Sequence, residues 1–319
     1  MPLLLRLLLF YVNKLKKDFD YATITATEMR KSNRAEYQKL GNFVDPADLP
    51  VAEVDDLTYT ARDGQPLTIR YYRPATVTHP GAMLFYHGGG FATRDLDSHD
   101  KVCRRFALRN RMPVFSVAYR LAPEHKFPVP LNDCEDAFDW LVQNSTQFDI
   151  DPTRIVVAGD SAGANLATVV AIRSRNQAKD LQPYQQVLIY PVTDGRMLHP
   201  SITEKGSGYF LTKELMQWFI DKYKRNEADR TNPEFSPLLT KDLSGLPPVY
   251  LCVAEHDPLR DEGVEYAEKL RAAGVSVQFD YLKNTVHGCL NLRRPCKPQN
   301  EQMNQSISRF LAQAVAEFR

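Results

Sequence analysis

The stretch AGDSAGANLA, residues 158–167, sets Ser161 between Gly159 and Gly163 in the pattern Gly-x-Ser-x-Gly, directly after the apolar run RIVVA. Minimal side chains at Gly159, Ala162 and Gly163 let the backbone turn sharply and present one hydroxyl at the apex of a strand-to-helix turn. A serine held there suits attack on a carbonyl carbon. The hydroxyl is a weak nucleophile without a base, however, and the same pattern also describes an ordinary helix cap. The chemistry therefore needs partners elsewhere in the chain.

In an open parallel sheet such partners collect beyond the carboxyl ends of the strands. After AMLFY comes HGGGF, beginning at His87, whose Gly88, Gly89 and Gly90 let backbone N–H groups converge on a point. After VYLCVAEH comes DPLRDEG, beginning at Asp257, and after VQFDYLKNT comes VHG with His287. The chain order Ser161, Asp257, His287 is that of an α/β-hydrolase rather than of the chymotrypsin or subtilisin types. In this reading His287 takes the Ser161 proton during attack, and Asp257 fixes the imidazole tautomer. The oxyanion is held by the N–H of Ala162 and by two N–H groups of the glycine run, each worth about 3 kcal/mol. Asp261 is a rival acid a turn along a helix. His256 is a poor rival base, because its neighbour Asp257 points away from it. No metal or organic cofactor is required.

These groups need a scaffold, and the apolar runs AMLFYH, PVFSVAY, RIVVAG, QVLIYP, PVYLCVAE and VSVQFDYL read as its strands. Helix-length segments such as LNDCEDAFDWLVQ and GVEYAEKLRAAG separate them, which predicts a mostly parallel, twisted sheet of about eight strands with helices on both faces. Before them, VDDLTYTARDGQPLTIRYYRP reads as a hairpin turning at Asp63-Gly64, with Ile69 and Tyr71 alternating. The alternation breaks from about Asp194 to Pro237, where LTKELMQWFIDKYKR predicts an aromatic-rich lid helix. Phe91, Tyr209, Phe210, Trp218 and Phe219 are candidates for an apolar pocket wall. The expected organisation is a single domain over 1–319, with a helical cap from about 1–45 and about 195–235.

Composition narrows the partners. With 40 basic and 39 acidic residues the net charge is +1, and no long single-sign run occurs, so a nucleic-acid role is not expected. The five cysteines (Cys103, Cys134, Cys252, Cys289, Cys296) show no paired spacing and suit reduced thiols in a cytoplasmic protein. The opening MPLLLRLLLFYVNKLKKDFD lacks a basic segment ahead of its apolar stretch and is too short to span a bilayer. It predicts an amphipathic helix with Leu4, Leu8, Tyr11 and Leu15 on one face and Lys14, Lys16 and Lys17 turned elsewhere. That helix covers a pocket or the core, or else residues 1–17 make peripheral membrane contact without stable insertion.

The motifs HGGGF, YRLAPEHKFP, GDSAGANLA, EHDPLRDEG and VHG together resemble the hormone-sensitive-lipase-like branch of the α/β-hydrolases over roughly residues 50–315. Within it, RDLDSHDKVCRRFALRN and ADRTNPEFSPLL look like bacterial acetyl esterase-type carboxylesterases. The resemblance implies a carboxylesterase acting on short to medium acyl esters, with an N-terminal cap. It also implies Ser161 as nucleophile, Asp257 as acid, His287 as base and His87 to Gly90 as the oxyanion loop. Ala164 departs from the glycine that many members carry. An amidase or peptidase on the same scaffold is the enzymatic alternative. A non-catalytic small-molecule binder is the other, although binders of this branch typically lose the histidine that stands here at 287. The expected partner is a small ester, and a homodimer is compatible with the sequence.

Overall fold

The computed structural model describes residues 1–16, 20–46 and 49–316. Strands β1 (Glu53–Thr60) and β2 (Pro66–Arg73) pair antiparallel, from Glu53 opposite Arg73 to Thr60 opposite Pro66. Gly64 turns their hairpin at φ 84°, a left-handed value that glycine adopts freely. Then follow β3 (Met83–Tyr86), β4 (Val114–Val117), β5 (Val156–Asp160), β6 (Gln185–Ile189), β7 (Val249–His256) and β8 (Val277–Val286). The eight strands form one sheet in the order β1-β2-β4-β3-β5-β6-β7-β8, parallel from β4 to β8. β2 runs antiparallel to β4. The carboxyl ends of β3, β5, β7 and β8 consequently share one edge of the sheet.

The central strands β3 to β6 are buried throughout and mostly apolar because both faces are covered. In β3, Met83 and Phe85 enter one core while Leu84 and Tyr86 enter the other, the two-residue period of a strand. The helices that supply those cores are α1 (Leu3–Lys16), α2 (Ala26–Val44), α3 (Leu96–Asn110), α4 (Val129–Gln143), α5 (Ala162–Asn176), α6 (Pro200–Glu204), α7 (Lys213–Tyr223), α8 (Arg260–Ala272) and α9 (Lys297–Ala316). Val102 and Phe106 of α3 join Ile307 and Phe310 of α9 in the core of Met83 and Phe85. Leu131 and Phe138 of α4, Leu166 and Val170 of α5, and Tyr266 of α8 fill the opposite core. The region 195–235 holds α6 and α7, and its segments cross to the first 45 residues. The Trp218 indole donates to the Ile24 carbonyl at 3.2 Å, and the Asn13 amide to the Gly208 carbonyl at 2.9 Å.

The buried face of α1 differs from the one its periodicity suggested. Leu5, Leu8, Leu9 and Val12 are buried, whereas Tyr11 is exposed and Leu4 only half-buried. These four follow the i, i+3, i+4, i+7 rule as well as the expected Leu4, Leu8, Tyr11 and Leu15 do. A stretch with leucines on every side offers several such faces, and docking beside Tyr72, Val44 and Phe210 selects one. Lys17 lies outside the described residues, as do the side chains of Leu15 and Lys16. Glu28 closes the amino end of α2 in a capping box with Thr25.

A buried charge cluster ties the helical layer to the hairpin. Glu135 of α4, 1% exposed, meets Arg62 beyond β1 at 2.8 Å, Arg173 of α5 at 3.0 Å and Lys179 at 3.2 Å. Burial alone would raise its pKa, but the Arg62 hydrogen bond and the charges of Lys179 and Arg173 outweigh that and lower it to about 2. A depressed carboxyl contributes stability that is present above its ordinary value of 4.5 and lost as pH falls toward about 2. Glu135→Gln should therefore cost about 1–3 kcal/mol near neutral pH, since Arg62, Arg173 and Lys179 each lose this buried partner and keep as acidic partners only Asp136, Glu234 and Asp139. Urea unfolding at a series of pH values should show the gap from wild type closing as pH falls below 4.5. A gap constant down to about 2 would assign the loss to packing instead.

Candidate active site

Ser161 joins β5 to α5 at φ 55° and ψ −118°, a conformation that costs of order 1–3 kcal/mol. The flanking glycines are dictated by close approach. A Cβ on Gly159 would lie 2.4 Å from the Gly163 carbonyl carbon, and one on Gly163 would lie 1.9 Å from the Tyr86 carbonyl oxygen in β3. The start of α5 thus sits directly on the end of β3. The Ser161 N–H donates to Ile189 O at 2.9 Å, fastening the turn to β6 as well.

The structure brings the three residues singled out for acyl chemistry together. His287, just after β8, lies with Nε2 2.9 Å from Ser161 Oγ and Nδ1 2.7 Å from Asp257 Oδ2. Asp257, just after β7, is fully buried, and its other oxygen accepts the Leu259 N–H at 2.9 Å. Its carboxylate is thereby aimed at the imidazole from the neighbouring strand end. Asp261, the rival acid, is turned elsewhere: it pairs with Arg260 at 2.7 Å and accepts the Ser201 N–H at 2.8 Å. His256 meets the Tyr209 hydroxyl at 3.3 Å.

The glycine loop faces the same point. The backbone N–H groups of Gly89, Gly90 and Ala162 make no hydrogen bond among the described residues. Gly88 differs from the expectation that grouped it with them, because its N–H donates to Asp160 Oδ1 at 2.8 Å. It anchors the loop, while Gly89 (φ +125°) and Gly90 (φ +60°) carry the bend. His87 is buried, stacked on Tyr119 with ring centroids 4.5 Å apart, and its carbonyl accepts the Tyr119 hydroxyl at 2.6 Å. Burial, with repulsion from His99, pushes its pKa down to about 4, so the ring is neutral at physiological pH.

Asp160 and His99 are the residues that sequence reasoning missed. His99 of α3 places Nε2 3.1 Å from Asp160 Oδ1, the oxygen that also accepts from Gly88. Burial raises the Asp160 pKa, but the His99 charge and hydrogen bond and the Gly88 N–H more than offset this, holding it below the usual carboxylate range. The available signal was an ionisable residue closing the apolar strand RIVVAGD.

Ser161 and His287 open into a cavity of about 480 Å³. Leu211, Leu215, Met216, Phe219 and Ile220 line it from the 195–235 region, and Tyr11, Val12, Met29 and Leu40 from the first 45 residues. Of the five aromatic candidates, Phe91, Phe210 and Phe219 lie in its wall. Tyr209 instead stacks on His256 and Trp218 is buried, so these two serve packing. Phe219 rests against Gly90, where a Cβ would meet its ring at 2.1 Å. Arg94, Glu36 and Lys39 add charge to the wall. Ala164 is buried in α5, away from the cavity. Among the described residues no cluster of His, Cys, Asp and Glu is arranged to hold a metal ion.

Residues 83–291 match the α/β hydrolase fold family. The chain is 41% identical over 242 residues to an ethyl acetate hydrolase of Pseudomonas putida, covering 75% of this chain and 76% of that one. It is 35% identical over 285 residues to a carboxylesterase of Mycobacterium tuberculosis, covering 88% of each. A solved hyperthermophilic esterase from the archaeon Pyrobaculum calidifontis superposes with a TM-score of 0.90 at 35% identity, covering 99% of both chains.

The contact of Gly163 with β3 yields a test. Gly163→Ala should cost about 3 kcal/mol or more, because α5 must lift off the sheet to clear Tyr86. Gly208→Ala, at φ +80° in open space, should cost only about 1 kcal/mol of backbone strain. Urea unfolding of both variants measures the difference, and equal losses would remove the steric account of the turn.

Proposed function

Because this chain belongs to the α/β-hydrolase fold family, in its hormone-sensitive-lipase-like branch, and is a carboxylic-ester hydrolase, we propose that Ser161, His287 and Asp257 carry its reaction. The observation that supports this most directly is the continuous relay from Ser161 Oγ to His287 Nε2 (2.9 Å) and from His287 Nδ1 to Asp257 Oδ2 (2.7 Å).

With Nδ1–H donated to Asp257, Nε2 is left as the acceptor that takes the Ser161 proton as Oγ attacks the ester carbonyl. The resulting imidazolium is stabilised by the Asp257 carboxylate and returns the proton to the leaving alkoxide, giving alcohol and an acyl-Ser161 ester. A water molecule, deprotonated by the same Nε2, then attacks that ester. Collapse of the second tetrahedral species releases the acid and restores the Ser161 hydroxyl. In both steps the oxyanion is held by the unpaired N–H groups of Gly89, Gly90 and Ala162, each worth about 3 kcal/mol. Asp160 acts one step removed, holding Gly88 and hence the loop.

The cap assignment extends this reading. Residues 1–45 and 195–235 form the cap on a single domain, and the side chains they contribute make the cavity wall largely apolar. A cavity of about 480 Å³ suits short to medium acyl esters. The similarity to an ethyl acetate hydrolase points to small acyl groups as well. Five buried free thiols support a reducing, cytoplasmic setting.

Steady-state kinetics on 4-nitrophenyl esters from acetate to palmitate, with a matched anilide, test the proposal. Short and medium esters should turn over, with palmitate and the anilide far behind; an anilide rate matching the esters would favour the amidase reading. Asp257→Asn should lower kcat by roughly 10⁴-fold through loss of tautomer control, whereas Asp261→Asn should change it only a few-fold. The reverse ranking would move the acid to Asp261.

A further inference from the structure

Helix α1 carries a second apolar face that no described residue covers. Opposite Leu5, Leu8, Leu9 and Val12, the side chains of Leu3, Leu7, Phe10 and Tyr11 are 70, 58, 73 and 48% exposed. At about 100° per residue these four fall within roughly one quarter of the helix circumference, so they form one stripe. Isolated exposed leucines need no explanation, but four large side chains aligned on one helix do.

The charge of the helix itself has a single sign. Arg6, Lys14, Lys16 and Lys17 are the ionisable side chains other than Tyr11 in residues 1–17, and the first acid is Asp18. Arg6 and Lys14 are exposed, and their side chains make no hydrogen bond or ion pair among the described residues. By helical spacing Arg6 flanks the stripe and Lys14 extends it toward the carboxyl end of the helix. The stripe is also continuous with the catalytic cavity: Tyr11 belongs to both, and Val12 beside it lines the cavity from the inner side. No described helix is long and apolar enough to cross a membrane, and α1 has only 14 residues.

We propose that this outer stripe docks α1 flat on an anionic lipid surface. Leu3, Leu7 and Phe10 enter the acyl boundary, Arg6 and Lys14 pair with headgroups, and the cavity at Tyr11 opens beside the lipid. Such a helix is amphipathic in an unusual sense: one apolar face serves the protein and the other serves the bilayer. The enzyme would then take apolar esters from the lipid phase, a consequence that rests on reading the cavity as the ester site. A second copy of the chain is a poorer occupant. A two-fold contact of α1 with itself would bring Arg6 and Lys14 of both copies together with no acid on either helix.

The test uses the full-length protein, cosedimented with vesicles of phosphatidylcholine or of phosphatidylcholine and phosphatidylglycerol in equal parts. Wild type should bind the anionic vesicles at low salt, bind the neutral ones weakly, and release as salt rises. The double variant Leu7→Ser/Phe10→Ser should partition roughly tenfold or more weakly, with an unchanged thermal midpoint because both side chains are exposed. An Arg6→Gln/Lys14→Gln variant should lose the preference for anionic vesicles while keeping the fold. Hydrolysis of soluble 4-nitrophenyl acetate should be the same in all three proteins. Wild-type protein that ignores anionic vesicles, or a serine variant that binds as wild type does, would overturn the docking. So would a wild-type dimer in gel filtration that the serine variant dissociates, since the stripe would then be a subunit contact. An inactive wild type that still binds vesicles would instead count against the ester reading.

Discussion

The turn at Ser161 is held in a left-handed conformation by contacts too close for any side chain, and the site is arranged around that constraint. Gly163 presses on the Tyr86 carbonyl, so α5 begins where β3 ends and the glycine loop that follows β3 faces the Ala162 N–H. Asp160, one residue before the turn, is thereby buried against that loop and accepts from Gly88. Its desolvation is offset by His99, so a charge that would otherwise oppose folding becomes the link between the Ser161 turn and the glycine loop. The strain at Ser161 is small beside the burial of the central strands, and it is what brings the hydroxyl within reach of His287.

Sheet topology supplies the remaining geometry. Asp257 and His287 follow the adjacent parallel strands β7 and β8, so their side chains meet without a long excursion of the chain, while Ser161 follows β5, two strands away from β7. The loop after β6 bridges that interval: Val192 donates its N–H to the Ser161 carbonyl at 3.3 Å, and the Asn165 amide donates to Val192 O at 2.9 Å. Glu262 of α8 accepts the Thr193 and Asp194 N–H groups in the same loop, and burial raises its pKa well above the ordinary value. Side chains from the first 45 residues and from 195–235 line the cavity into which Ser161 and His287 open.

Much of this was legible in the sequence because the relevant signals are local. Ser161 with its glycines, the glycine run at 88–90, and an acid and a histidine directly after apolar strands each announce themselves within a few residues. The hairpin turning at Gly64 and the helix over 213–223 were local signals too. What escaped depends on tertiary contact. The pairing of Asp160 with His99 joins β5 to α3, and the hydrogen bond from Gly88 to Asp160 sets this anchor apart from Gly89 and Gly90, whose N–H groups make no hydrogen bond among the described residues. The buried face of α1 escaped for another reason: leucines at positions 3, 4, 5, 7, 8 and 9 satisfy more than one helical stripe. The same excess leaves a face outside. Tyr209 and Trp218 show that an aromatic in the 195–235 region does not announce which way it points.

The central claim, that this geometry makes Ser161 the nucleophile, is tested most directly by covalent labelling with diethyl 4-nitrophenyl phosphate followed by peptide mass mapping. The account predicts a single diethylphosphoryl group per chain, on Ser161, appearing in proportion to the loss of ester hydrolysis. Label on a different residue, or hydrolysis that survives full modification of Ser161, would contradict it.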